Sequence, residues 1–245
     1  LSDQPIMLLA GARRGVGHAT AELSQERGWR ILTVSRQSFA EECAWLAGRE
    51  DHIQADQSDD SQIDRLAARV RGRLLNARPQ ALVNNADISP EGPSKARLGV
   101  ATTDAATWAQ VLDVNLVSTA LLVRALLTEL EVPRGSIVNV TSIAGERVHP
   151  FAGVAYMASK AALASLTRGL AHEFDGRGVR ASAISPGEIE ASILSPGTDE
   201  LVAAEVPLRC IGDALEVAKA IHLLCTSASS YINGAEIHVN GGQHV

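Results

Sequence analysis

The stretch Ile6-Met7-Leu8-Leu9-Ala10-Gly11-Ala12-Arg13-Arg14-Gly15-Val16-Gly17 decides the fold. Five apolar residues in a row, ended by a glycine, read as a buried strand. A G-x-x-x-G-x-G pattern follows, then a helical stretch to about Arg27, closed by Gly28. Glycines let a backbone turn tightly and approach a phosphate. The helix N-terminus behind them offers free N–H groups and the positive end of a dipole. A glycine triplet alone is a weak signal. Set between a strand and a helix at the head of an alternating chain, it predicts a dinucleotide site.

Working outward, apolar runs predict further strands at 30–34, 52–55, 81–83, 137–140, 179–184 and 235–239. Helical spacing predicts helices at 38–47, 60–76, 104–130, 156–174 and 213–225. Strand and helix alternate from end to end, without linker or repeat. This predicts one α/β domain over 1–245: a Rossmann-type, doubly wound parallel sheet of about seven strands with helices on both faces. Two irregular segments, 88–103 and 188–208, are rich in Pro, Gly and charge. They are expected to form substrate loops, the second a mobile flap.

Composition narrows the function. The 245 residues are 46% hydrophobic and only 3% aromatic, so the core must be built from Ala, Leu, Val and Ile. A net charge of -6 argues against a broad basic surface for nucleic acid. No uninterrupted apolar run of about 18 residues is present, so no membrane span is expected. Leu1-Ser2-Asp3-Gln4-Pro5 lacks the basic start and apolar centre of a secretory signal, and a cytoplasmic location is expected. Cys43, Cys210 and Cys225 are too scattered for a disulfide framework or a zinc site, and no metal is expected.

Tyr156-Met157-Ala158-Ser159-Lys160 is the most informative pentapeptide. Residues four apart share a helix face, so the phenol and the ammonium are neighbours. A free phenol ionises near pH 10, and a nearby cation stabilises the phenolate. Such a tyrosine can protonate a carbonyl oxygen or take the proton of an alcohol. The pair gains weight because the chain has only two tyrosines and three lysines, Lys95, Lys160 and Lys219, among 22 basic residues.

By its glycine turn and this pentapeptide, the chain resembles the short-chain dehydrogenase/reductase family over roughly 6–242. Asn84-Asn85-Ala86 is similar to the family motif after the fourth strand, and Pro186-Gly187-Glu188-Ile189 to the one that reaches the nicotinamide. Asn233-Gly234 and Val239-Asn240-Gly241-Gly242 are similar to its last strand. The resemblance implies a catalytic set of Asn115, Ser142, Tyr156 and Lys160. Ser142 would orient the reacting oxygen, with Thr141 as an adjacent rival, and Asn115 would hold a water beside the lysine. It implies cofactor contacts from Gly11, Arg13, Arg14, Gly15, Val16, Gly17, Ser35, Arg36, Asp56, Gln57, Asn85, Ala86, Tyr156, Lys160, Pro186, Gly187 and Ile189.

The second strand ends Val34-Ser35-Arg36, with no carboxylate to accept from an adenosine ribose or repel a 2′-phosphate. Arg36 and Arg14 border that ribose, so NADP(H) is expected in preference to NAD(H). Asp56 matches the residue that bonds the adenine amine, or is a solvated turn aspartate. The implied activity interconverts a small carbonyl and a secondary alcohol (EC 1.1.1 type). A cofactor-binding scaffold or sensor without turnover is the alternative, and dehydration or epimerisation on the same fold a third reading. A homodimer or homotetramer through the helices at 104–130 and 153–175 is implied as well.

The chain also departs from the family pattern. Ala10 replaces the usual Thr, and Ala191 replaces a Thr, with Ser192 one place out of register. Ser142 to Tyr156 is one residue longer than usual, with the excess expected around His149-Pro150. Asp87 stands where the family has Gly, either altering cofactor affinity or pointing to water. His149, Phe151 and Met157 are candidates for the pocket wall, with His149 read as a loop histidine.

Overall fold

Every side chain of Ile6–Ala10, strand β1, is buried, and their alternation builds the two layers of the protein. Ile6 and Leu8 point into one core with Leu32, Leu66, Val70, Leu82, Leu126, Ile137 and Phe174. Met7 and Leu9 point into the other with Ile31, Val83, Val138, Ile184, Val217, Ile221 and Leu224. Full burial of one such side chain contributes about 1.5–3 kcal/mol. A strand buried on both faces is the signature of a parallel sheet covered on both sides. A computed structural model describes residues 4–38, 51–190 and 197–245 of the chain.

After β1 come helix α1 (Gly15–Glu26), strand β2 (Arg30–Ser35), strand β3 (His52–Gln54), helix α2 (Asp60–Leu74) and strand β4 (Ala81–Asn84). Helix α3 (Ala105–Leu112) passes through one wide π turn, Asp113–Val117, into α4 (Ser118–Glu131). Strand β5 (Ser136–Val140), helix α5 (Val154–Glu173) and strand β6 (Arg180–Pro186) follow, then α6 (Thr198–Glu205), α7 (Ala214–Cys225) and β7 (Glu236–Val239). The sheet runs β3-β2-β1-β4-β5-β6-β7, and all six pairings are parallel. Its seven strands match the expected fold.

Three expectations are corrected or left aside. The helix read at 104–130 is not regular, because the π turn adds a residue to one coil at Asn115. Part of the expected flap, 198–205, is helical: Leu201 and Val202 are buried and anchor it. Residues 39–47 of the helix read at 38–47, Cys43 among them, and Ala191 and Ser192 fall outside the described residues. The run Ala105–Glu131 is long and apolar enough to cross a membrane by composition. Here Leu122, Leu126 and Leu130 bury one face of it in the core under β4 and β5.

Candidate active site

Parallel strands end on one edge, and most of the expected cofactor residues follow those ends; Asn115 lies in the π turn between α3 and α4, and Tyr156 and Lys160 lie on α5. At β1 the chain turns through Gly11 at φ +83°. A Cβ there would lie 2.6 Å from the Ala86 nitrogen, and one at Gly17 would lie 2.0 Å from the Gly11 oxygen. Only glycine allows the turn and the loop after β4 to touch, and the Asn85 Nδ2 donates to the Gly11 oxygen at 2.8 Å to tie them. Arg14 caps α1 without a side-chain hydrogen bond, and the first turn of that helix carries no acid. Its N–H groups remain available to an anion, so this half of the site fits a dinucleotide phosphate.

Arg13, Arg14 and Arg36 are exposed, and their guanidinium groups have no partner among the described residues. Ser35 donates to the Gln37 carbonyl at 2.6 Å. Asp56 accepts from the Ser58 amide and hydroxyl through one oxygen, at 3.0 and 2.7 Å, in a local turn. Gln57 is buried beside it. Val16 packs against the core on the α1 side, and so does Ile189, whose backbone pairs with Gly212.

Helix α5 brings the catalytic candidates together. Lys160 is 2% exposed; its Nζ donates to the Val140 carbonyl at 2.9 Å and lies 5.3 Å from the centre of the Tyr156 ring. The Ser142 hydroxyl lies close enough to the Tyr156 phenol to favour its ionisation, and it accepts from the Ala144 amide at 3.2 Å. Thr141, the rival serine position, is committed elsewhere: its hydroxyl engages the Ile184 carbonyl and the Glu236 carboxylate.

Two residues behave in ways the sequence did not indicate. The Asp87 carboxylate turns onto the Lys160–Tyr156 pair while its outer side stays exposed. Its Oδ2 lies 2.8 Å from Lys160 Nζ and accepts from the Tyr156 hydroxyl at 3.4 Å. Burial pushes the Tyr156 phenol up to about 12; the Lys160 charge opposes this and the Asp87 charge adds to it. Burial acts against the Lys160 charge, yet Asp87 and Tyr156 outweigh it and raise its proton affinity. Asn115, lifted by the π turn, has its amide fully engaged. Oδ1 accepts from the Ile88 amide at 2.8 Å, and Nδ2 donates to the Ile88 carbonyl and to Ser159, both at 3.0 Å. Ser159 in turn donates to the Tyr156 carbonyl at 2.7 Å. Asn115 thus clamps the loop that carries Asp87 to the helix that carries Tyr156.

The loop between Ser142 and Tyr156 carries His149 and Phe151. His149 Nδ1 accepts from the Phe151 amide at 3.3 Å, so Nε2 carries the proton and donates to Glu188 in a short contact. His149 therefore joins the loop before α5 to the Pro186-Gly187 corner, and its ring packs edge-on against Phe151. Met157 meets the Arg97 guanidinium through sulfur at 3.6 Å. No group of three or more potential metal ligands occurs among the described residues.

A parallel sheet with a glycine turn after its first strand and a Ser-Tyr-Lys cluster on the same edge defines a dinucleotide-type oxidoreductase fold. The comparisons agree with this. The family model described as enoyl-(acyl carrier protein) reductase matches residues 10–244. The chain belongs to the short-chain dehydrogenase/reductase family of oxidoreductases. It is 53% identical to protein FixR of Bradyrhizobium diazoefficiens over 244 residues, 99% of this chain and 88% of that one. It is 30% identical to the 3-oxoacyl-[acyl-carrier-protein] reductase FabG of Vibrio cholerae, over 98% of this chain and 97% of the other. An oxidoreductase of the family from Brucella ovis, crystallised with a partially ordered NAD, shares 47% identity. It superposes with a TM-score of 0.85 over 97% of this chain and 100% of its own.

Proposed function

We propose that the protein is an NADP(H)-dependent oxidoreductase that interconverts a small carbonyl and a secondary alcohol, with Tyr156 as the acid and base. The observation that carries this reading is the convergence of Ser142, Tyr156 and Lys160 beside the uncapped glycine turn. Gly11, Gly15, Gly17, Asn85 and Ala86 would hold the dinucleotide, with Pro186, Gly187 and Ile189 on its nicotinamide side. When bound, the nicotinamide supplies or takes up the hydride. Ser142 and Tyr156 grip the substrate oxygen, and Tyr156 delivers or removes its proton. Lys160 supplies the positive charge beside that phenol and a donor to the nicotinamide ribose. Arg14 and Arg36, exposed and without a guanidinium partner among the described residues, support the 2′-phosphate and hence NADP(H).

A homodimer or homotetramer is supported by an open apolar groove between α4 and α5, lined by Leu116, Val117, Ala120, Leu121, Ala162 and Leu166. Free thiols at Cys210 and Cys225 fit the cytoplasm. The test is fluorescence titration with NADPH and NADH, followed by a screen of ketones with wild type and Tyr156→Phe. Turnover lost in Tyr156→Phe with NADPH binding intact supports the reading. Binding without turnover of any carbonyl by wild type favours a cofactor-binding scaffold, a reading to which the Asp87–Lys160 contact lends weight.

A further inference from the structure

Lys160 is confined. Its side chain is almost wholly buried, and its ammonium is fixed by the Val140 carbonyl on one side. Asp87 takes a second of its three N–H donors. The backbone around Asp87 is equally fixed. Asn85 is bonded to Gly11 before it, and Ile88 is bonded through both its amide and its carbonyl to Asn115 after it. What remains free to move is the Asp87 side chain, which is 37% exposed and has solvent on its outer side.

Resting on the proposed function, in which Lys160 meets the nicotinamide ribose, we propose that Asp87 decides how firmly the nicotinamide half of the cofactor is held. Its carboxylate occupies the lysine in place of the ribose and must rotate toward solvent when the cofactor engages fully. Binding is then divided into two parts. The adenosine half docks on a preformed glycine turn. The nicotinamide half docks only on the fraction of molecules whose carboxylate has left Lys160, and apparent affinity falls by that fraction. Asp87 is a positioning residue in this scheme, acting through Lys160 and Tyr156.

The test uses calorimetric titration of the intact protein with two probes, NADPH and adenosine 2′,5′-bisphosphate, which has no nicotinamide riboside. Asp87→Gly removes the side chain, and Asp87→Asn keeps its size while removing its charge; having both guards against a misfolded variant. The expected result is NADPH affinity raised about tenfold or more in each variant, with the bisphosphate changed less than about twofold. Three outcomes would overturn the inference: unchanged NADPH affinity, weaker NADPH binding, or an equal gain for both probes, which reports only lost repulsion. Absence of binding by either probe to every form would overturn the proposed function, and this inference with it.

Discussion

The Asp87 carboxylate stands 2.8 Å from the Lys160 ammonium, and the same oxygen receives the Tyr156 hydroxyl. A cation beside a phenol promotes its ionisation, and a carboxylate shared between the two cancels much of that effect. Tyr156 is accordingly held protonated, with burial as the first cause. The only other phenol, Tyr231, is fully exposed and can be removed as Tyr231→Phe. In that background, near-ultraviolet difference absorbance should detect no phenolate until strongly alkaline pH. Asp87→Asn should bring the ionisation down by about one pH unit or more. An ionisation that stays in place would mean Asp87 has no electrostatic hold on Tyr156.

Arg36 follows the end of β2 with its side chain exposed. A guanidinium on a phosphate is a charge-assisted contact of about 1.5–3 kcal/mol. Arg36→Ala should weaken NADPH binding about tenfold or more and leave NADH within about twofold, with the difference shrinking as salt rises. Equal losses for both nucleotides in a fluorescence titration would remove the NADP assignment.

Asn139 is fully buried between β4 and α5. It accepts from Asn84 Nδ2 and donates to Thr167 Oγ1, both at 2.8 Å. Asn139→Ala leaves the Asn84 donor buried without its partner and should cost about 2 kcal/mol of stability. Urea unfolding should show this as a lower midpoint with an unchanged slope. A midpoint equal to wild type would mean that the network relaxes without loss.

Glu129 on α4 is buried, and Arg71 on α2 reaches it through Nε. Burial alone would raise its carboxyl; the Arg71 hydrogen bond and charge outweigh that and hold it below the ordinary range. A depressed carboxyl contributes stability that is full above the unfolded value of about 4.3 and lost as pH falls through the native one. Glu129→Gln should therefore flatten the acid limb of a plot of urea midpoint against pH. The effect should be modest, because Arg71 is half exposed. An acid limb as steep as that of wild type would assign the loss to other carboxylates.

The strands and the glycine turn were legible because apolar runs and glycines act locally, at their own positions. Tyr156 and Lys160 were legible because helical spacing alone makes them neighbours. Asp87 was visible as an odd residue in a loop, but its partner Tyr156 lies 69 positions away, and no local pattern joins them. The His149–Glu188 contact spans 39 positions and was hidden for the same reason. The π turn at Asn115 leaves no compositional trace, since one extra residue in a coil changes neither polarity nor propensity. An asparagine inside a predicted helix was its only sign.

The position of β1 in the sheet also has a consequence for the order in which the protein comes into being. Its neighbours are β2, which follows at once, and β4, which arrives only with Ala81. Strand β4 then waits for β5. During synthesis the glycine turn emerges while Tyr156, Lys160 and the far side of the sheet are still to be made. Pairing of such distant segments is slow, and the waiting strands expose apolar surface. A nascent chain ending before α5 is expected to hold the phosphate-binding turn with no acid–base pair opposite it.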